Sequence, residues 1–315
     1  MNKIILYITI LLCSADLIAQ DSLTFQSEEI LIKVKHGNLS ATLLTPQTDK
    51  MTPVVLIIAG SGPTDRDGNN AFMKNNSLKM LAEALALNGI ASLRYDKRGI
   101  GESKMVGIPE DSLDLEIYIE DAVKCIEQLK AEGFEKIFVA GHSEGSLIGM
   151  VAAVQVNIAG YISIAGMGES LYTTLTRQME PQPEFVRNKV NEILLSLLDG
   201  KKVDNVDPML HSLFRPSVQP FLISFLQYQP TEEIKKVTVP TLIIQGSTDI
   251  QVSVEDARKL HEALPAASIS IIEGMNHILK DVEINRTINL TTYNQPDLPI
   301  NTVFIDTITQ FILNN

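Results

Sequence analysis

Hydrophobic positions in this chain fall into short runs separated by longer amphipathic stretches. Residues 54–58, 91–95, 137–140, 161–164, 241–245 and 268–272 are apolar and rich in β-branched side chains. Runs of this length predict strands buried on both faces. Apolar residues recur every three or four positions over 78–87, 115–130, 146–154 and 254–264, a spacing that predicts helices with one buried stripe. Asn88-Gly89 and Glu132-Gly133 stop two of these helices where glycine can take the left-handed cap. Upstream, residues 29–35 and 39–45 flank the turn signal His36-Gly37-Asn38 and predict an antiparallel hairpin. The alternation as a whole predicts an α/β fold with a mainly parallel twisted sheet and helices on both faces.

The alternation breaks between residues 166 and 236. This stretch holds helix-like patterns at 185–198 and 218–228 and six prolines, and no convincing strand. Lying between two core strands, it reads as a helical cap projecting from the carboxyl edge of the sheet; ordinary crossover helices are the competing reading. The expected organisation is a signal peptide over 1–19, an α/β core over 20–165 and 237–315, and a helical cap over 166–236.

Composition narrows the function. The chain has 315 residues, 45% of them apolar, enough for one large domain with an insertion. The net charge of −12 argues against nucleic acid or an anionic membrane surface as partner; a small-molecule substrate is the expected partner. At the N-terminus, Lys3, the apolar run 4–12 and Leu17-Ile18-Ala19 have the order of a secretory signal. The run is too short to span a bilayer, so export to the periplasm or beyond, without stable membrane insertion after cleavage, is expected. Cys13 follows a bulky Leu12, which departs from a lipoprotein signal. Cleavage leaves Cys125 alone, so no intramolecular disulfide can form, and Cys125 reads as a small packed helix residue.

Gly141-His142-Ser143-Glu144-Gly145 lies at the junction of a predicted strand and a predicted helix. A G-x-S-x-G sequence in that context puts serine on a sharp, strained turn at the carboxyl end of a sheet. Ser143 is therefore the candidate nucleophile. A serine hydroxyl needs a base, and five histidines are available. His36 lies in the hairpin turn, His142 adjoins Ser143 and points elsewhere, His211 lies in the insertion, and His261 lies on a charged helix face. His277 remains, in a loop after the strand 268–272, and is the candidate base. Asp249 follows the strand 241–245 and is the candidate acid that orients it. Asp256 reads as part of a solvated helix turn and Asp281 as a surface charge. The backbone N–H of Glu144 should hold a tetrahedral oxyanion, with its side chain of little consequence. The second donor should come from Ala59-Gly60-Ser61-Gly62-Pro63, at Ser61 with Gly62 as the alternative. Asp65-Arg66-Asp67-Gly68-Asn69 lacks the spacing of a calcium loop and reads as rigid charged structure. Asp96 and Arg98 read as architectural. Neither a metal nor a cofactor is expected.

Several long stretches resemble bacterial carboxylesterases of the α/β-hydrolase superfamily. The oxyanion loop of that group reads A-G-S-G-P-T-D-R-D-G-N, as at 59–69. Residues 94–101, 213–220, 245–252, Gly274-Met275-Asn276-His277 and the tail 293–299 are similar too, and the resemblance runs from about Leu39 to the C-terminus. It implies hydrolysis of short acyl esters without a cofactor, through an acyl-enzyme, beneath a helical cap. Ser143, Asp249 and His277 fall on the triad positions of the family. A serine peptidase or thioesterase on the same scaffold is the alternative.

Overall fold

The computed structural model describes residues 24–48, 51–103 and 109–315; the expected signal segment lies outside them. Eight strands form one sheet: β1 (Phe25–Val34), β2 (Gly37–Pro46), β3 (Val54–Ile58), β4 (Ala91–Tyr95), β5 (Ile137–His142), β6 (Gly160–Ile164), β7 (Thr241–Gly246) and β8 (Ser268–Ile272). Their order is β1-β2-β4-β3-β5-β6-β7-β8. The hairpin β1–β2 is antiparallel and closes at Val34↔Gly37, with His36 in the left-handed region at φ 69°. β2 runs antiparallel to β4, and the remaining neighbours are parallel.

Eleven α-helices accompany the sheet among the described residues: α1 (Ser77–Leu87), α2 (Leu115–Ala131), α3 (Glu144–Gln155), α4 (Leu171–Met179), α5 (Glu184–Leu198), α6 (His211–Phe214), α7 (Gln219–Phe225), α8 (Pro230–Ile234), α9 (Val254–Ala263), α10 (Arg286–Thr292) and α11 (Thr302–Asn314). Side-chain alternation along the strands divides the core in two. Val54, Leu56 and Ile58 join Leu115, Ile119, Leu147, Ile148, Ala257 and Leu260 on one face. Val55 and Ile57 join Leu78, Leu81, Phe304, Ile308 and Ile312 on the other. The central strands are predominantly apolar because both of their faces are covered, and β3 is apolar throughout.

The helices depart from the sequence reading at α3 and at the C-terminus. α3 begins at Glu144, directly after the serine, and not at 146. The chain also ends in a full helix, α11, that the pattern of strands and turns did not suggest. Its buried positions Phe304, Ile308 and Ile312 have a clean four-residue spacing, and the helix closes one face of the sheet.

Between β6 and β7 the described chain is helical, comprising α4 to α8 and two short 3-10 turns. It is tied to the core at both ends. Arg177 on α4 pairs with Glu169 at 2.7 Å and with Asp256 on α9 at 2.5 Å. Asp256 is thus buried and salt-bridged, and also caps α9 through Ser253, rather than lying in a solvated turn. Farther along, Arg215 and Ser217 both bind the carboxylate of Glu110. Gln219 is fully buried and bonds Val203 and Phe214 backbone, and Tyr228 reaches Glu116. These side chains hold the insertion together and to the core.

The carboxyl ends of β3, β5, β7 and β8 bring the loops after Ile58, His142, Gly246 and Ile272 to one edge of the sheet. Because α11 closes the face beneath them, Phe304→Ala should cost about 3–5 kcal/mol of stability in urea unfolding; a loss below about 1 kcal/mol would show that the helix is peripheral.

Candidate active site

Ser143 is the one residue between β5 and α3. It sits at φ 55°, ψ −119°, a conformation that costs energy for a residue with a Cβ and persists only where the surroundings enforce it. Its N–H donates to the Ile164 carbonyl of β6 at 2.9 Å, and its own carbonyl accepts from Ser146 N–H at 2.9 Å. The flanking glycines are required by close approach and not by their own dihedrals. A Cβ on Gly141 would lie 2.0 Å from the Gly145 carbonyl oxygen, and one on Gly145 would lie 2.4 Å from that of Ile58.

Asp249 and His277 are brought together. His277 Nδ1 lies 2.8 Å from Asp249 Oδ2, and both side chains are buried. Asp249 is fully engaged: Oδ1 accepts from the N–H of Gln251 at 2.7 Å and of Val252 at 3.0 Å, and Oδ2 also accepts from Gln245 Nε2 at 3.0 Å. Burial pushes its carboxyl up, but the His277 ring and the Val252 and Gln251 N–H groups outweigh burial and hold it below the usual carboxylate range. An ionised acceptor fixes the proton on Nδ1 and leaves Nε2 free to act as base. The two loops interlock. A Cβ on Gly246 would sit 2.0 Å from the Met275 carbonyl, and Thr248 N–H donates to that same oxygen at 3.1 Å. Asn276 secures the base loop from its other side, donating to Thr292 Oγ1 on α10 at 2.8 Å.

Ser143 Oγ and the His277 ring are not hydrogen-bonded among the described residues. Such bonds are commonly long in a free enzyme and tighten with substrate. Asp281, the other acid near His277 in sequence, instead accepts from Asn301 at 2.5 Å.

His142 belongs to this site, although the sequence reading set it aside. Its ring centroid lies 4.8 Å from that of His277, and its Nε2–H donates to the His277 carbonyl at 2.7 Å. Burial and the adjacent His277 ring push its pKa down to about 3. It is therefore neutral and places no second positive charge beside the base. Its signal in the sequence was its position, the last residue of a strand aimed at the active edge.

The loop over 59–63 packs directly on the elbow. A Cβ on Gly60 would lie 3.1 Å from Ser143 Cβ and 3.2 Å from His142 Nδ1. Gly62 is left-handed at φ 72° and Ser61 is exposed. The Glu144 side chain, expected to matter little, is instead buried and paired with Lys97 Nζ at 2.8 Å. The charged loop that follows is pinned by Arg66, which reaches Ser40 at 2.7 Å, Glu102 at 2.6 Å and Asp96 at 3.0 Å. Arg98 bonds both oxygens of buried Asp121, at 2.5 and 2.6 Å.

The depressed His142 pKa has a thermodynamic consequence. The unfolded chain takes up a proton below pH 6.5 while the folded one does not, so this contribution to stability is whole above pH 6.5 and is lost progressively toward pH 3. His142→Gln, whose amide can still donate to the His277 carbonyl, should escape on the order of 2 kcal/mol of the stability loss between pH 7 and pH 5. Urea titrations at the two pH values measure it; equal losses in both proteins would contradict a buried neutral His142.

Comparison with known proteins agrees with this fold. The Hydrolase_4 family, described as serine aminopeptidase S33, matches residues 74–283. Esterase EstD of Thermotoga maritima is 25% identical over 263 residues, which cover 82% of this chain and 61% of EstD; the match thus spans less than two thirds of that relative. A proline iminopeptidase of Saccharolobus solfataricus is 25% identical over 226 residues, covering 60% of this chain and 71% of the relative. Among solved structures, Est1E of Butyrivibrio proteoclasticus with ferulic acid superposes with a TM-score of 0.61 at 18% identity, over 90% of this chain and 98% of Est1E. Identity that low speaks for the fold alone. The family match covers two thirds of the chain, and the chain belongs to the Hydrolase_4 family of α/β-hydrolases.

Proposed function

We propose that the protein is an exported serine carboxylesterase acting on short acyl esters. The observation that carries this reading is the Asp249–His277 hydrogen bond, which engages Nδ1 and leaves the other ring nitrogen for proton transfer, on the edge where strained Ser143 emerges. Ser143 Oγ bonds to the ester carbonyl carbon as His277 Nε2 takes the hydroxyl proton. The carbonyl oxygen becomes an oxyanion held by the N–H groups of Glu144 and Ser61. The carbon–oxygen bond to the alcohol breaks, and the leaving alkoxide takes the proton from His277. Water then attacks the acyl-enzyme with His277 again as base, releasing the acid and restoring Ser143. Asp249 keeps the imidazole in the required tautomer and stabilises its charged form.

EstD is an esterase by name, and Est1E holds ferulic acid, a small carboxylic acid. Esters of small acids are accordingly the substrate class to test. The 59–69 loop supports the narrower resemblance to carboxylesterases, and the helices between β6 and β7 are read as a cap over the pocket. A peptide substrate is the second reading, favoured by the family description and the iminopeptidase relative. An aminopeptidase must hold a substrate ammonium with an available carboxylate. Glu144 and Asp249, the acids that flank Ser143 and His277, are both engaged within the protein, which favours the ester.

Ser143→Ala should lower kcat/KM on p-nitrophenyl acetate by at least about 1,000-fold; activity within tenfold of the native protein would sink the assignment. A matched panel of ester, thioester and aminoacyl arylamide should show preference for the ester, and a better arylamide would reverse the order of the two readings. Export rests on Lys3, the 4–12 run and Leu17-Ile18-Ala19. The mature protein should begin at Gln20 outside the cytosol, by fractionation and N-terminal mass spectrometry; a cytosolic chain retaining residues 1–19 would contradict it.

A further inference from the structure

Lys97 is a buried cation that the reaction above leaves unused. It lies two residues beyond β4, with its side chain 4% exposed. Nζ donates to the Gly60 carbonyl at 2.6 Å and to Glu144 Oε1 at 2.8 Å, and lies 5.7 Å from the centroid of the Tyr118 ring. Removing an ammonium and a carboxylate from water costs several kcal/mol each, and their attraction offsets that only in good geometry. An apolar pair would fill the space at no greater cost. Retention of the ion pair at this place calls for a reason beyond packing.

Peptide geometry supplies one. The Gly60 carbonyl and the Ser61 N–H belong to the same planar trans peptide and point in opposite directions. A grip on the carbonyl therefore sets the direction of the N–H. The positive charge at the oxygen also draws electron density through the amide and strengthens that N–H as a donor. The second anchor of Lys97 is the side chain of Glu144, whose backbone N–H is the other oxyanion donor. One ammonium thus links the two peptide segments whose N–H groups must converge on a single oxygen. They come from different loops, after β3 and after β5, and bond-length precision between loops needs such a tie.

We infer that Lys97, with Glu144 as its counter-ion, is a positioning residue that aligns and polarises the oxyanion hole. This deepens the esterase reading and rests on it. Lys97 does not touch substrate. Its contribution falls on the tetrahedral state, so its loss should lower kcat and leave KM nearly unchanged.

The test separates alignment from stability. Replacing Lys97 alone strands a buried carboxylate, so the informative comparison is K97M/E144Q against E144Q. Both lack the carboxylate charge, and only the double variant lacks the grip on Gly60. With p-nitrophenyl acetate, K97M/E144Q should show kcat about 10–100-fold below E144Q, with KM within threefold. Affinity for a trifluoromethyl ketone, which forms a tetrahedral adduct with serine, should fall in parallel, while inhibition by acetate, a product, should not change. K97M/E144L repeats the comparison with no polar side chain left at either position, so that the Gly60 carbonyl alone loses its donor, and should remain slow while unfolding near the native temperature. Double variants with kcat within threefold of E144Q, or a loss that appears in KM and acetate binding alike, would overturn the role of Lys97. If Ser143→Ala retains activity, the underlying esterase reading fails; if Ser143→Ala is inactive and the double variants keep kcat, the positioning role alone fails.

Discussion

The site depends on backbone contact between the turn after β5 and the end of β3. With Gly141 against the Gly145 carbonyl and Gly145 against that of Ile58, the chain reverses from strand to helix in a single residue. That compression forces Ser143 to positive φ and leaves its side chain nowhere to go but the carboxyl edge. The strain is sustained by the flanking structure: β5 lies between β3 and β6, α3 packs on the core below, and Ser143 N–H is held by Ile164. Without the two close approaches the serine would settle into an ordinary helix start, and the other loops would have nothing to converge on.

Around that turn the active edge is built as a set of interlocked loops. The acid and base loops are fastened to each other through Gly246, Thr248 and Met275, and the base loop to α10 through Asn276. His142 joins the elbow to the loop that carries His277, and Lys97 joins the elbow to the 59–63 loop. Each tie is buried and uses a polar group with a defined partner. The result is a rigid constellation in which burial keeps His142 neutral while Asp249 remains ionised. Two titratable side chains in one small volume thus differ in charge: burial and the His277 ring keep His142 neutral, while the His277 ring and backbone N–H groups keep Asp249 ionised.

Much of this was legible in the sequence. The limits of β3, β4 and β8 followed from the length of their β-branched and apolar runs, and for β3 the run is unbroken because both of its faces are covered. Asp249 and His277 could be selected because each follows its own strand, and topology puts strand ends together. What escaped was of another kind. α11 lies beyond the last strand, where the alternating pattern no longer sets an expectation. Asp256 looked solvated because its partner, Arg177, is 79 residues away in the insertion. The partners of His142 and Glu144, like that of Asp256, are set by side-chain direction and loop packing. Sequence spacing locates a residue on an edge; it does not say which of its neighbours it will touch.

The central claim is that Ser143 is the nucleophile and His277 its base. Reaction with a fluorophosphonate, followed by peptide mapping, tests both together, since phosphonylation needs a serine activated by a histidine and is independent of the natural ester. One adduct should form, on the peptide containing Ser143, and its formation should slow by orders of magnitude in His277→Ala. Labelling at another residue, or labelling of Ser143 at an undiminished rate without His277, would contradict the account.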